Sequence, residues 1–254
     1  MTDVFYPYFE TESCWQELQY SLRSIEAHFK FGFRVWIVGD LPVWINPATI
    51  HYIPHQRIEG ITENTVYDAI TKMLLFCNHP DTTPNFIRMY DDIYLLRDVT
   101  LCDIGIFKAM YPYEKVPQRS GTWWDQLHKT LGILKRKGYP AWNTETHLPE
   151  LFNKEKMKWI IKVYGALENR LLTSSLYFNT FFPFSHPLLW NKSFAIQFYG
   201  DMENDFYTSH DGDLIEKCQG KTYLNHNALG LNDNLIAFLQ TRFLNPSKFE
   251  LCQL

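Results

Sequence analysis

The chain of 254 residues is long enough for one large domain or two small ones, and its 46% hydrophobic and 20% charged residues are typical of a globular protein. The formal net charge is −4 and the only basic block is the short KRKG at 135–138, which argues against a large nucleic-acid footprint. The five cysteines are scattered without CxxC spacing, so we expect free thiols and neither a zinc site nor a disulfide framework.

The sequence carries no pattern for export or for membrane insertion. The N-terminal MTDVFYPYFETE has no basic segment followed by an apolar stretch, and no run approaches the ~18 apolar residues of a membrane span. We therefore expect a cytoplasmic protein without a transmembrane segment. The oligomeric state is left open.

The first hundred residues alternate between strand and helix patterns. Apolar runs predict strands at 4–8, 33–40, 50–55 and 85–96, the last running into a turn or a second strand, and apolar stripes predict helices at 13–29 and 62–80. Ser13 is the predicted N-cap of the first helix. This β-α-β-β-α-β order predicts an α/β fold with a mostly parallel sheet flanked by helices.

The chain becomes more helical after about residue 104. Residues 111–152 mix loops with a helix, residues 154–169 predict a helix, and a helix over 230–243 begins at Asn232 or Asp233. The apolar segment at 171–186 fits either a helix or a buried strand. Because no Gly/Ser linker or internal repeat interrupts the chain, we expect a single domain over residues 1–254.

Two adjacent carboxylates, Asp91 and Asp92, follow an apolar strand in RMYDDIYLL (88–96). Ligands of open α/β sheets bind outside the carboxyl ends of the strands, and two carboxylates at such an end can hold a hard divalent cation. The bound cation would offset the cost of burying the charges. The alternative is structural, in which either carboxylate caps a turn or pairs with Arg88 or Arg97.

Other side chains at the predicted sheet edge complete a nucleotide-diphosphate site. Asp40 ends the second strand, and the first strand ends in Tyr6, Pro7 and Tyr8. The rings of the two tyrosines could stack on a base. Lys72 lies on the helix before the Asp91 strand, where it could pair with a diphosphate or project from a solvated helix face.

The residues around this site resemble those of nucleotide-sugar transferases with a GT-A-type fold, which is Rossmann-like. ELQYSLRSIEAHFKFGFRVWIVGDLPVWI (17–45) followed by FIRMYDDIYLL (86–96) is most similar to the Stealth family of capsular-polysaccharide sugar-phosphate transferases. TETHLPEL (144–151) and LNHNALGLND (224–233) resemble later segments of that family. The chain departs from that family in two ways: its first strand lacks the family's valine-aspartate-glycine pattern, and Tyr90 stands in place of the family's asparagine. These departures favour ordinary glycosyl transfer over sugar-phosphate transfer.

The resemblance implies a role for each candidate residue. Asp91 would contact the donor sugar or ribose, and Asp92 would bind Mn²⁺ or Mg²⁺ on the diphosphate of a nucleotide sugar, for which we expect a UDP-sugar. Asp40 and the Tyr6–Tyr8 segment would hold the base and ribose. Residues 1–104 would form the donor half of the site and residues 105–254 the half that binds a carbohydrate acceptor.

The candidates for a general base are Glu145 and His147, and His147 is also a possible third metal ligand. Three tryptophans could form an acceptor platform or pack in the core: Trp123, Trp124 and Trp142. Asp211 and Asp213 fit an Asp-Gly turn better than a site. Three alternatives to glycan glycosylation remain open: sugar-1-phosphate transfer, glycosylation of modified DNA bases, and a non-catalytic α/β binding module.

Overall fold

The computed structural model describes residues 1–57, 65–200, 208 and 213–251. The described helices are α1 (Glu17–His28), α2 (Thr65–Asn78), α3 (Leu101–Gly105), α4 (Thr122–Arg136), α5 (Lys154–Tyr164), α6 (Ala166–Asn169), α7 (Thr173–Phe181), α8 (Leu214–Cys218) and α9 (Asp233–Arg242). The described strands are β1 (Thr2–Tyr8), β2 (Phe33–Gly39), β3 (Ile50–Pro54), β4 (Asn85–Arg88), β5 (Ile93–Leu95), β6 (Lys108–Ala109), β7 (Tyr111–Pro112), β8 (Trp142–Asn143), β9 (Glu150–Asn153), β10 (Leu188–Leu189), β11 (Ala195–Phe198) and β12 (Tyr223–His226).

The central sheet has the order β3-β2-β1-β4-β9, and only β9 runs antiparallel to its neighbour. The predicted α/β class is therefore confirmed, with a mostly parallel sheet flanked by helices. The register of β1 opposite β2 pairs Val4 with Val35 and Tyr8 with Gly39, so both strands end at the same edge. Because β4 is parallel to β1, its carboxyl end lies at that edge as well.

Apolar faces fix the helices on this sheet. Leu18, Leu22 and Ile25 recur at helical spacing along α1 and are fully buried, as a core-facing stripe should be. On α2, Met73 and Phe76 are buried in the same core cluster. Burial of side chains of this size contributes about 1.5–3 kcal/mol each, so these faces hold the helices in place.

A second, three-stranded sheet has the order β11-β12-β5. Strand β5 follows Asp92 directly and runs antiparallel to β12, with Ile93 opposite Asn225. The chain therefore leaves the central sheet at Arg88, turns through Asp91 and Asp92, and enters the second sheet at Ile93. The two carboxylates lie where the chain passes from one sheet to the other.

One predicted helix boundary is wrong. Helix α1 begins at Glu17 rather than near Ser13, because the Glu17 carboxylate accepts hydrogen bonds from the Cys14 and Trp15 amides and from the Ser13 hydroxyl. These bonds stabilise a non-helical turn before the helix. The ambiguous segment at 171–186 contains helix α7, and Asn232 caps α9 as predicted.

Gly39 ends β2 in a conformation that requires glycine. Its φ is +129°, and a Cβ atom there would lie 1.9 Å from the Tyr8 carbonyl oxygen of the neighbouring strand. The close approach of β1 and β2 at the site edge therefore depends on this residue.

The described cysteines Cys14, Cys77, Cys102 and Cys218 are free thiols, as predicted, whereas Cys252 lies outside the described residues. In the described ranges, no helix is both long enough and apolar enough to cross a membrane.

Candidate active site

A cavity of about 520 Å³ opens at the carboxyl ends of β1 and β4. Its wall includes Pro7, Phe9, Glu12, Glu17, Arg57, Asp68, Lys72, Arg88, Tyr90, Asp91, Asp92, Trp123, Glu145, His147, Gln197, His226 and Asn227. This volume falls within the range of small-molecule sites. The cavity also lies where ligands of open α/β sheets are expected.

Asp91 and Asp92 occupy the turn at the floor of this cavity. Burial, the neighbouring charge of Asp92 and that of Glu17 together raise the pKa of Asp91 to about 7. Burial also acts on Asp92, but the charge and hydrogen bond of His147 outweigh it and lower the pKa of Asp92. The ionised form is therefore disfavoured at Asp91 and favoured at Asp92.

His147 is held against Asp92. Its Nε2 lies 2.7 Å from Asp92 Oδ1, and its ring stacks on Tyr90 at 4.9 Å with an interplanar angle of 3°. The backbone of His147 has a φ of 51°, an uncommon value outside glycine, and Asn225 Nδ2 donates to its carbonyl oxygen at 2.7 Å. Burial disfavours the charged ring, but Asp92 overcomes this effect and raises the pKa of His147.

Glu145 is fixed to the N-terminus of α7. Its Oε1 accepts hydrogen bonds from the Ser175 amide at 2.8 Å and from the Ser175 hydroxyl at 2.9 Å. The N-cap residue Leu172 has no side-chain acceptor, so Glu145 supplies the cap from thirty residues away. The carboxylate therefore has both a structural role and a place on the cavity wall.

A buried ion pair supports the wall beside Glu145. Arg88 of β4 lies opposite Glu150 of β9, and its Nη2 donates to both Glu150 and the Ser174 hydroxyl. Burial raises the pKa of Glu150 to about 7 against the opposing effect of Arg88. Arg88 is thus not a partner of Asp91 or Asp92, and Arg97 donates to the Gly220 carbonyl oxygen instead.

A second cluster of charges, formed by Arg57, Asp68 and Lys72, also lines the cavity. Lys72 Nζ lies 2.8 Å from Asp68 and donates to the Tyr8 carbonyl oxygen at 2.8 Å, so Lys72 is buried and does not project from a solvated helix face. Burial lowers the pKa of Lys72 despite Asp68. Arg57 also pairs with Asp68 and lies 3.9 Å over the ring of Phe9.

The rings of Tyr6 and Tyr8 do not reach the cavity. Both are buried in the core, and the Tyr6 hydroxyl lies 3.0 Å from that of Ser21. The structure contradicts the prediction that they stack on a base, because side chains on both faces of β1 are packed in the core. Pro7, which lies between them, does line the cavity.

Asp40 lies at the same sheet edge but in a separate, shallower pocket. Its Oδ2 accepts a hydrogen bond from the Glu10 amide at 2.8 Å. The predicted nucleotide site requires Asp40 and Asp91 to line the same cavity, and the structure does not bring them together in this way.

The three tryptophans have different environments. Trp123 is 39% exposed and lines the cavity, Trp124 is buried, and Trp142 pairs with Pro112 as part of β8. Only Trp123 retains a free surface at the cavity among these three. Asp213 accepts a hydrogen bond from the Ile215 amide as the N-cap of α8, and Asp211 lies outside the described residues.

Several cavity residues were not predicted from the sequence. Glu17 and Gln197 line the cavity, and so does His226, whose Nε2 lies 3.0 Å from the Tyr94 hydroxyl. His226 contributes to the lowered pKa of Asp92. The sequence signal for His226 is its place in LNHNALGLND (224–233), a segment that resembles the Stealth family.

The cavity carries more negative than positive charge. The carboxylates on its described wall are Glu12, Glu17, Asp68, Asp91, Asp92 and Glu145. The lysine and arginine side chains there are Arg57, Lys72 and Arg88, and each already pairs with a carboxylate. A divalent cation bound by the oxygen atoms of Asp91 and Asp92 would balance this excess of negative charge. Among the described residues, no group of three His, Cys, Asp or Glu side chains is arranged to hold a metal ion.

Comparison with solved structures supports the fold. The galactosyltransferase LgtC in complex with donor and acceptor sugar analogues is similar with a TM-score of 0.51 and 11% identity, over 98% of this chain and 98% of that chain. An active-site mutant of LgtC is similar with a TM-score of 0.46 and 13% identity, over 89% and 87% of the two chains. The likeness to the LgtC complex, with its TM-score of 0.51, shows that the chain has a GT-A-like fold. No protein-family model matches it, so the finer resemblance to the Stealth family remains a prediction from the motifs.

Proposed function

We propose that this chain is a metal-dependent glycosyltransferase that moves a sugar from a nucleotide-sugar donor to a hydroxyl group of a carbohydrate acceptor. The observation that carries the proposal is the Asp91–Asp92 turn at the carboxyl end of β4, facing a cavity of about 520 Å³. The raised pKa of Asp91 supports it, because two carboxylates with too little compensating charge suit a cation.

On the donor side, Asp92 and Asp91 would hold Mn²⁺ or Mg²⁺. His147, which contacts Asp92, or His226, which lines the same cavity, would supply a nitrogen donor. The ion would supply Lewis-acid stabilisation of the leaving diphosphate. Lys72 and Arg57 also line the cavity, where their N–H groups would donate hydrogen bonds to the phosphates. Asp68 would orient these two side chains, since it contacts both.

On the acceptor side, Glu145 and His147 are the groups that could remove a proton from the acceptor hydroxyl. His147 is engaged with Asp92, whereas both bonds to Glu145 use Oε1. Glu145 is therefore the better candidate in this geometry. Trp123 offers an exposed ring at the cavity on which a sugar could stack.

The proposal places donor binding mainly in residues 1–104 and acceptor binding mainly in residues 105–254. Sugar-1-phosphate transfer would use the same donor site, and it would break a different bond. Glycosyl transfer releases a nucleoside diphosphate, whereas sugar-phosphate transfer releases a nucleoside monophosphate. The two reactions can therefore be separated by their nucleotide product alone.

The test is to incubate the protein with UDP-, GDP-, CMP- and dTDP-sugars and Mn²⁺, and to separate the released nucleotides by anion-exchange chromatography. For the diphosphate sugars we expect a nucleoside diphosphate, formed by slow hydrolysis without an acceptor, and no release by Asp92→Asn. Release of the monophosphate from these donors would favour the Stealth-type reaction. Release of neither, by a folded protein, would favour a non-catalytic binding module.

A further inference from the structure

One surface of the protein exposes aromatic side chains away from the cavity. We define the aromatic patch as Trp159 of α5 together with Phe181, Phe182 and Phe184 at the end of α7. Trp159 is 47% exposed, Phe182 is 37% exposed and Phe184 is 96% exposed. Large aromatic side chains are usually buried in soluble domains, so an exposed cluster indicates an interaction surface.

The patch is continuous. The rings of Trp159 and Phe181 are 5.7 Å apart, which joins α5 to α7. Phe182 lies 6.3 Å from Phe107, whose carbonyl oxygen accepts a hydrogen bond from Leu188. Leu188 and its neighbour in β10 are themselves exposed, and they extend the apolar surface.

Phe184 protrudes from this surface. It lies in the short connection after α7, where the Ser185 amide donates to the Phe182 carbonyl oxygen at 3.0 Å. This bond closes a turn that presents the Phe184 ring to solvent. An aromatic ring exposed at the tip of a turn can insert at the headgroup boundary of a bilayer.

Lysine side chains border the aromatic patch. Lys156 Nζ lies 4.9 Å from the centre of the Phe181 ring and 5.8 Å from that of Phe182. Lys162 is exposed on the same helix, and neither lysine forms an ion pair with another described residue. Long lysine side chains beside aromatic rings can reach anionic headgroups while the rings enter the apolar boundary below.

The charge of the whole chain is distributed asymmetrically. Residues 119–192 contain eleven Lys and Arg against five Asp and Glu, whereas the rest of the chain contains thirteen against twenty-three. The segment that carries the patch thus has a net charge of +6 in a chain of −4, although Lys135 within it pairs with Glu114 outside it. This excess favours an anionic surface over a neutral one. The aromatic patch lies within this segment.

We propose that the aromatic patch and its lysines dock the protein on an anionic lipid bilayer, with Phe184 inserted at the headgroup boundary. This inference does not depend on the proposed chemistry. The aromatic patch lies outside the candidate active site, and its partner would be a membrane surface.

The test uses sedimentation of the full chain with vesicles of phosphatidylcholine, with and without about one-third phosphatidylserine. We expect binding only to the anionic vesicles, and weaker binding at high salt. Phe184→Ser should reduce the partition coefficient roughly tenfold, and Lys156→Gln with Lys162→Gln should reduce it about fivefold per lysine.

Matched controls use residues elsewhere on the surface. Val43→Ser removes a side chain that is 92% exposed, and Lys30→Gln with Lys248→Gln removes two lysines beside α1. These variants should bind vesicles like the unmodified chain, and all variants should keep its melting temperature. The proposal is overturned if anionic vesicles are not bound, or if the patch variants bind as the controls do. Light scattering that shows a dimer lost only in the patch variants would overturn it as well, by assigning the face to a second copy.

Discussion

Replacing Asp91 with asparagine should stabilise the ligand-free protein at alkaline pH. The folded state raises the pKa of Asp91 from 3.8 to about 7, so the ionised carboxylate is less favourable in the folded than in the unfolded chain. Stability is therefore lost as the pH rises from about 4 to about 7, and it stays low above that range. A shift of this size corresponds to at most about 4 kcal/mol, and the partial exposure of Asp91 reduces it to about 2–4 kcal/mol.

The assay is urea unfolding of the unmodified chain and Asp91→Asn at pH 5 and pH 8, without divalent ions. We expect the variant to gain about 2–4 kcal/mol at pH 8 and clearly less at pH 5, where only part of the loss in the unmodified chain has occurred. The control is Asp81→Asn, which changes an exposed carboxylate outside the cavity. A variant that is less stable than the unmodified chain at pH 8 would refute the reasoning, because it would show that the Asp91 charge is already compensated.

Three further predictions concern an ion pair, a histidine and a glycine near the cavity. Glu150→Gln should lower the free energy of unfolding by about 3–5 kcal/mol in urea because it leaves Arg88 buried without its partner, and Arg88→Met with Glu150→Leu should recover most of this loss. In NMR titrations, the raised pKa of His147 should fall in Asp92→Asn, and an unchanged pKa would contradict the coupling of the two side chains. In the unmodified chain, the charged form of His147 stabilises the fold fully below pH 6.5, and this stabilisation is lost as the pH rises through the pKa of the folded state. Gly39→Ala should destabilise by more than ~3 kcal/mol, whereas Gly220→Ala, with a φ of 76° and no atom within 4 Å of its Cβ, should cost about 1 kcal/mol. Equal effects of the two glycine variants would contradict the close contact with Tyr8.

The sequence predicts the parts of the fold that depend on local patterns. The apolar runs at 33–40 and 85–96 and the stripe Leu18, Leu22 and Ile25 place the first strands and helices correctly, because periodicity and burial act within a few residues. The position of Asp91 at a strand end follows from the same patterns. Ser13 shows the limit of this reasoning. Its residue type favours an N-cap, but it lies instead in the turn before α1 that Glu17 stabilises.

Contacts between distant segments could not be predicted in this way. The Arg88–Glu150 pair joins residues 62 apart, and β5 pairs with β12 more than a hundred residues later. The entry of His226 into the cavity depends on that second pairing. The prediction for Tyr6 and Tyr8 was wrong for another reason. An aromatic residue in a short apolar strand is compatible with both a core position and a stacking surface, and the choice depends on the helix that packs on the strand.

The most direct test of the proposed donor site is a thermal-shift screen of UDP-, GDP-, CMP- and dTDP-sugars, each with and without Mn²⁺. A ligand at a hundredfold excess over its Kd stabilises the native state by about 2.7 kcal/mol, which for a chain of this size raises the melting temperature by roughly 5 °C or more. We expect one donor class to give such a shift only in the presence of Mn²⁺, and we expect Asp92→Asn to remove it. A shift of equal size without metal, or in Asp92→Asn, would contradict the assignment of Asp91 and Asp92 as the metal and diphosphate site.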